Sequence, residues 1–279
     1  MNDRQKLLAL HSLIPWPWPR FNQISTFLAN NLQDHLPSIV KENYRTASLF
    51  PFESYYAASD VVVVTYLDPD YPPFLKELHD PPAVLYLKGN KQLLTNSMLA
   101  IIGSRKATSY THDIIDYFMP QFKAADLTIC SGLAIGADTH AHKIAIEHGV
   151  KTVAVLGSGF HYPYPKQNIA LFSELAKNHL IVTEYPPNTP PQPHQFIARN
   201  RVISALSKGI FITEAELKSG TMSTVDFALD LGKEVYTVPG SIFSTLSSGP
   251  HSLVQQGATL VHSSEDFSEQ ILPRSKALK

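Results

Sequence analysis

Apolar residues recur along this chain with two different periods. Near the start, Leu7, Leu8, Leu10 and Leu13, and then Ile24, Phe27, Leu28 and Leu32, keep the three-to-four spacing of a helix face. Pro15, Pro17 and Pro19 divide the two stripes, so residues 1 to 58 predict a small all-helical, SAM-like module. From Val61 the spacing changes. Val61 to Tyr66 is a β-branched run, a stiff turn rich in aspartate and proline follows at residues 68–73, and Val84 to Leu87 predicts a second short strand. Beyond Met98, almost unbroken apolar runs alternate with stretches of helix length. The runs are Leu99–Ile102, Thr128–Cys130, Thr152–Leu156, Leu180–Thr183, Ile210–Thr213, Glu234–Val238 and Thr259–Val261.

A strand apolar on both faces has to be covered on both. In a strand–helix alternation that means a parallel sheet with helices above and below. The predicted fold is α/β: an extended Rossmann-like, mostly parallel sheet over residues 59–279, preceded by the helical module. The proline-rich run at residues 185–193 is an extended loop and not a linker, because strands continue after it.

In a doubly wound sheet, ligands sit outside the carboxyl ends of the strands. The first core strand is followed by Gly103-Ser104-Arg105-Lys106, a turn tight enough for close backbone approach with an arginine fork suited to phosphate. Ser131 and Gly132 follow the next strand and lead through Gly136 into a helix, a second anion-cradle pattern. The loop at residues 157–168 mixes glycines with Phe160, Tyr162, Tyr164, Lys166 and Asn168. Aromatic faces beside a lysine are how single strands are held; packing beneath the prolines is the commoner use of either tyrosine alone, and ligand contact that of Lys166. Arg199-Asn200-Arg201 is placed near a helix start, where the dipole disfavours cations, so the arginines face either an anionic partner or a buried carboxylate. Their fork geometry favours phosphate. Ser219, Gly220 and Thr221 open another helix.

Other chemistry is poorly represented. The dinucleotide fingerprint is missing and no cofactor is implied. Asp138, His140 and His142 stand two apart, on different sides of a helix, which makes a poor metal set. Cys130, the single cysteine, excludes an internal disulfide framework and reads as core. Glu214 is the best acid/base candidate, with helix capping or arginine pairing the commoner use. The expectation is a non-enzyme. There is no signal-peptide pattern and no apolar stretch of roughly 20 residues, so a cytoplasmic protein without membrane contact is expected. With 23 basic and 24 acidic residues the net charge is −1. Any nucleic-acid role must then rest on a local patch, strengthened by dimerisation.

Taken in order, the segments DPDYPPFLKELHDPPAVLYLKGN, AIIGSRKAT, SGLAIGADTHAH, YPKQN, RNRVISALS, SGTMSTVDFALDLGKEVYTVPGS and LVQQGATLV resemble the DNA-processing protein A (DprA/Smf) family from Val61 onward. The resemblance implies protection of incoming single-stranded DNA, loading of the RecA recombinase onto it during natural transformation, and a homodimer formed through the core domain. It places DNA contacts on Arg105 and Lys166. The sequence departs from the family at Ile197 and Ala198, where F-P-x-R-N-R is usual, and at His251, where a G-x-N turn is usual. No C-terminal winged-helix domain is expected. Phe267 and Ile271, with Thr259–Val261, offer a dimer edge. Two rivals stand beside this reading. A phosphoribohydrolase of the Rossmann type would carry P-G-G-x-G-T-x-x-E, but Thr221 is followed by Met222-Ser223-Thr224. A protein-binding scaffold would instead use the N-terminal helices.

Overall fold

The computed structural model describes residues 2–13, 43–44 and 46–266. Among these, nine strands form one sheet: β1 (Val62–Thr65), β2 (Val84–Gly89), β3 (Met98–Ile102), β4 (Thr128–Ser131), β5 (Thr152–Leu156), β6 (Leu180–Thr183), β7 (Gly209–Ile212), β8 (Glu234–Thr237) and β9 (Thr259–Leu260). Every run predicted as a strand is one, to within a residue or two at its ends. The helices with described bounds are α1 (Asp3–Leu13), α2 (Phe52–Ala57), α3 (Ser109–Ala124), α4 (Ala137–Glu147), α5 (Ile169–Asn178), α6 (Pro193–Leu206), α7 (Gly220–Asp230) and α8 (Ser248–Gln255).

Strand order is β1-β2-β6-β5-β4-β3-β7-β8-β9. Only the β1–β2 and β2–β6 pairings are antiparallel. The chain winds outward from β3 to β6, then returns past β3 to build β7, β8 and β9. That reversal leaves a crevice at the carboxyl ends of β3 and β7.

Alternation of side chains explains why the strands are apolar throughout. Ala100 and Ile102 of β3 join Val202, Ile203 and Leu206 of α6 and Val225 of α7 in one buried cluster. Leu99 and Ile101 join Ile115, Phe118 and Phe122 of α3 and Ile144 of α4 on the other face. The described part of the N-terminal segment is cored on the sheet itself: Leu7, Leu8 and Leu10 of α1 and Phe52 and Tyr56 of α2 bury with Val84, Tyr86, Ile181 and Leu175. Arg4 Nε donates to both carboxylate oxygens of Asp68 at 2.9 and 3.0 Å, tying α1 to the turn after β1. The second helical stripe, Ile24 to Leu32, with the three prolines before it, lies outside the described residues, as do Phe267 and Ile271.

One expectation is corrected here. α6 begins at Pro193, a first-turn proline, and the Gln192 N–H donates to Gln195 Oε1 at 2.8 Å. Arg199 and Arg201 therefore stand about two turns inside the helix, where the dipole argument has no force. Arg201 in particular is a buried strut. Its guanidinium meets Glu184 in a two-pronged pair at 3.0 and 2.7 Å, and its Nε lies 3.3 Å from Asp80. Those contacts lock the end of β6 and the turn before β2 onto α6.

Two predictions follow from this packing. Arg201→Ala leaves Glu184 buried without its partner and is expected to cost roughly 3 kcal/mol in denaturant unfolding, the usual penalty for breaking a buried pair. The second concerns pH. Burial away from water lowers the His142 pKa to about 4 and the His11 pKa to about 3. The unfolded chain takes up protons on both near the ordinary value of about 6.5, so unfolding is favoured as the pH falls from there towards about 4. Urea midpoints should decline over that window, and His142→Gln should flatten the decline.

Candidate functional site

The crevice is built from loops fastened to one another. The Ser104 N–H donates to the Glu214 carbonyl at 2.6 Å, and Thr221 Oγ1 donates to the Gly103 carbonyl at 2.9 Å. The loop after β3 is thus tied to the loop after β7 and to the start of α7. Glu214 caps α3: its carboxylate accepts from the Thr108 N–H at 2.7 Å and from the hydroxyls of Thr108 and Thr111 at 2.9 and 2.8 Å. The best acid/base candidate in the sequence is engaged as a helix cap.

Two glycines permit the remaining approaches. Gly136 has φ +82°, and a β-carbon there would stand 2.3 Å from the Ser104 carbonyl oxygen. A β-carbon on Gly132 would stand 2.2 Å from Arg199 Nη1 and 2.3 Å from Asp138 Oδ2. Arg199 is buried beneath that loop, donating from Nη1 to the Val155 carbonyl at 2.5 Å and from Nε to Asn200 Oδ1 at 3.2 Å. Asp138 accepts from the Ala134 N–H at 3.2 Å. Burial pushes the Arg199 pKa down and the Asp138 pKa up, and the charge of each opposes the shift of the other.

Over this charged floor lie two hollows of about 670 and about 520 Å³. Both are lined by Arg105, Ala134, Tyr164, Phe196 and Arg199, so they form one groove. The first has apolar walls at Leu133, Ile135 and Leu156, with Lys166 on its lining. The second adds polar groups from Ser104, Lys106, Asn200, Ser219 and Thr221 to walls that include Ile102, Ile197 and Ile203. Tyr164 and Phe196 pack with ring centroids 5.4 Å apart, and the Arg105 guanidinium sits 5.9 Å from the Phe196 centroid. Arg105, Lys106 and Lys166 are exposed. Lys106 Nζ lies 3.8 Å from Glu216.

Of the residues nominated from the sequence, Gly103, Ser104, Arg105, Lys106, Lys166, Arg199, Asn200, Ser219, Gly220 and Thr221 line this groove. The others have structural positions. Ser131 is buried and donates to the Ile101 carbonyl at 2.7 Å. Gly132 makes room for Arg199, and its carbonyl accepts from His142 Nε2 at 2.5 Å. Phe160 is buried with Leu133, Leu156 and Leu171. Asn168 donates to the Leu133 carbonyl at 2.9 Å and the Thr139 hydroxyl at 2.8 Å, which joins the loops after β4 and β5. Arg201 is held by Glu184 and Asp80. Asn200 does both: it faces the second hollow and donates to the Gly220 carbonyl at 3.2 Å and Ser223 Oγ at 3.0 Å.

Sequence reasoning missed Phe196, which is common to both hollows. The signal was its position three residues before Arg199, on the same helix face. Asp138, His140 and His142 are not brought together: His142 bonds to Thr152 and Gly132, and His140 packs edge-on to His112. Burial pushes the Cys130 thiol up to about 12, which leaves it inert. Among the described residues, no helix is long and apolar enough to cross a membrane.

Residues 62–272 match the model of the DNA recombination-mediator protein A family. The chain is 39% identical to the DNA processing protein DprA of Bacillus subtilis over 206 residues, 74% of this chain and 69% of that one. It is 38% identical to protein Smf of Escherichia coli over 202 residues, 72% of this chain and 54% of that one. Among solved structures, the DNA processing protein A of Streptococcus pneumoniae superposes with TM-score 0.79 at 33% identity, covering 96% of this chain and 93% of that one. The DNA processing protein A of Helicobacter pylori, solved for its single-stranded DNA binding mode, superposes with TM-score 0.70 at 30% identity, covering 77% of this chain and 96% of that one. With the nine-stranded sheet, the fastened rim loops and these likenesses together, the chain belongs to the DNA recombination-mediator protein A family, that of DprA and Smf.

Proposed function

We propose that this chain binds single-stranded DNA along the groove at the carboxyl ends of β5, β4, β3 and β7, without a chemical step and without a cofactor. The observation that carries the reading is one lining that combines exposed cations with aromatic rings: Arg105, Lys106 and Lys166 beside Tyr164 and Phe196. Cations track the phosphates, and rings offer faces on which bases of any identity stack. A duplex keeps its bases stacked inside and gains only the charge term, so single strands are preferred.

The finer reading follows the family. The bound strand is protected and passed to the RecA recombinase during natural transformation, in the cytoplasm, by a homodimer formed through the sheet domain. The Helicobacter pylori relative, described by its single-stranded DNA binding mode, supports the ligand class.

Binding to oligo-dT, followed by anisotropy, should weaken as salt rises, with log K falling by about 0.7 per phosphate neutralised. Arg105→Ala and Lys166→Ala should each weaken binding several-fold and reduce that slope by about 0.7, with the melting temperature unchanged because both side chains are exposed. Salt-independent binding, or equal affinity for duplex, would count against the groove. Steady release of adenine from AMP would favour the phosphoribohydrolase instead. For the finer reading, the chain should raise the DNA-dependent ATPase rate of RecA on single strands coated with a competing single-strand binder, and Arg105→Ala should abolish the rise.

A further inference from the structure

The first N–H groups of a helix have no partner within it, so a helix that opens onto the rim needs acceptors from elsewhere. At α3 the Thr108 hydroxyl accepts from the Tyr110 N–H at 3.2 Å, and at α4 the Ala137 N–H donates to the Ser104 carbonyl at 3.1 Å. α7 is left open. Ser219 occupies its N-cap position with extended backbone but makes no side-chain cap bond, and its buried hydroxyl has no partner. Among the described residues, no acceptor takes the N–H of Gly220 or of Thr221. A buried hydroxyl without a bond is rare in a folded protein, and this one adjoins two open amides.

Ser219, Gly220 and Thr221 line the second hollow, and so does Arg199, which is only 6% exposed. Arg199 Nε and Nη1 are engaged beneath the groove, whereas no described acceptor takes Nη2. Asn200 Nδ2 donates to the Gly220 carbonyl at 3.2 Å, which holds α6 and the start of α7 in one frame. The carboxylates on this lining are already committed. Asp138 accepts from the Ala134 N–H beside Arg199, and Glu216 lies against Lys106. The positive end of a helix dipole and a largely desolvated cation therefore address one small space, a setting that favours a compact anion.

We infer that the amides of Gly220 and Thr221, the Ser219 hydroxyl and the Arg199 guanidinium form a seat for one nucleotide phosphate. Two ligands share that chemistry. One is a phosphate of the bound strand, and this part rests on the single-strand reading. The other is the phosphate of a free nucleotide, since the seat is local and asks for no neighbouring sugar. A free monoester carries about −1.5 to −2 charge at pH 7, more than one link of a strand, which suits the dipole and the arginine. Free nucleotides thus compete with DNA for the groove.

Gly220 supplies the test. A β-carbon there would meet nothing within 4 Å, so packing does not demand a glycine, and a side chain at this position leans toward the helix N-terminus, across the open amides. Gly220→Asp sets a carboxylate of the chain's own at the seat, where it complements the dipole and leaves the melting temperature unchanged or raised. On the full chain at fixed salt, dTMP should bind more tightly than thymidine and should displace oligo-dT. Gly220→Asp should weaken dTMP about tenfold or more, as for the loss of charge-assisted hydrogen bonds, and should weaken oligo-dT as well. Gly220→Asn, of the same shape without the charge, should lose far less. Binding of dTMP no tighter than that of thymidine overturns the inference, whatever the variants do. So does undiminished dTMP binding by Gly220→Asp, which would put the phosphate elsewhere, and so does dTMP that binds without displacing DNA. In each of these cases, oligo-dT binding by the parent chain leaves the groove reading intact. A parent chain that takes dTMP at this seat but no oligo-dT rejects the groove reading and leaves the seat standing with the free nucleotide as its ligand.

Discussion

A guanidinium taken out of water must find its hydrogen bonds inside the protein, and the rim of this sheet is organised around one that does. Arg199 reaches from the middle of α6 to the carbonyl of Val155 on β5, under a loop that only a glycine at position 132 allows to lie so close. Asp138, from the first turn of α4, supplies the nearby negative charge. One residue thus registers two helices, a strand and a loop. Removing it would leave Asp138 desolvated without compensation, the kind of defect that costs several kcal/mol. The groove is the space left above that arrangement.

The rim separates cations that hold the protein together from cations that face outward. Arg199 and Arg201 are buried and matched within the fold, whereas Arg105, Lys106 and Lys166 are exposed on the groove. Rigidity comes from backbone-directed bonds: Glu214 on the start of α3, Thr221 on Gly103, Asn200 on Gly220 and Asn168 on Leu133. A lining held this way loses little conformational freedom when it takes up a flexible ligand, so more of the contact energy appears as affinity.

The strands and their loops were legible because burial on both faces writes itself into the sequence as an apolar run, and the α/β winding then places every following turn on one edge. What side chains do at that edge was legible only where the residue has no internal competitor. Arg105 and Lys166 follow strands, and among the described residues no carboxylate is held against them. Arg199 and Arg201 could not be separated by pattern, because their partners, Val155, Asp138, Glu184 and Asp80, lie far away in the chain. The misplaced start of α6 had the same origin. The run of prolines before it read as loop, yet the last of them, Pro193, is the first helical residue. Phe160 and Asn168 belong to a loop whose composition suits a ligand, and half of that loop is turned inward to fasten its neighbours.

A chain with a net charge of −1 can still present a cationic groove, and the way its acids are placed shows how. Apart from Glu216, which lines the groove, the carboxylates at the rim are buried and satisfied: Glu214 by α3, Glu184 by Arg201, and Asp138 by its setting beside Arg199. They contribute to the total count but project little field into the groove, since their charge is matched at close range. Exposed acids elsewhere on the molecule act through water and salt, where interactions fade over about 8–10 Å. An anion arriving at the groove therefore responds chiefly to Arg105, Lys106 and Lys166, tempered by Glu216 beside Lys106. Composition sums charge over the whole surface, and recognition depends on charge within a Debye length, so the two need not agree.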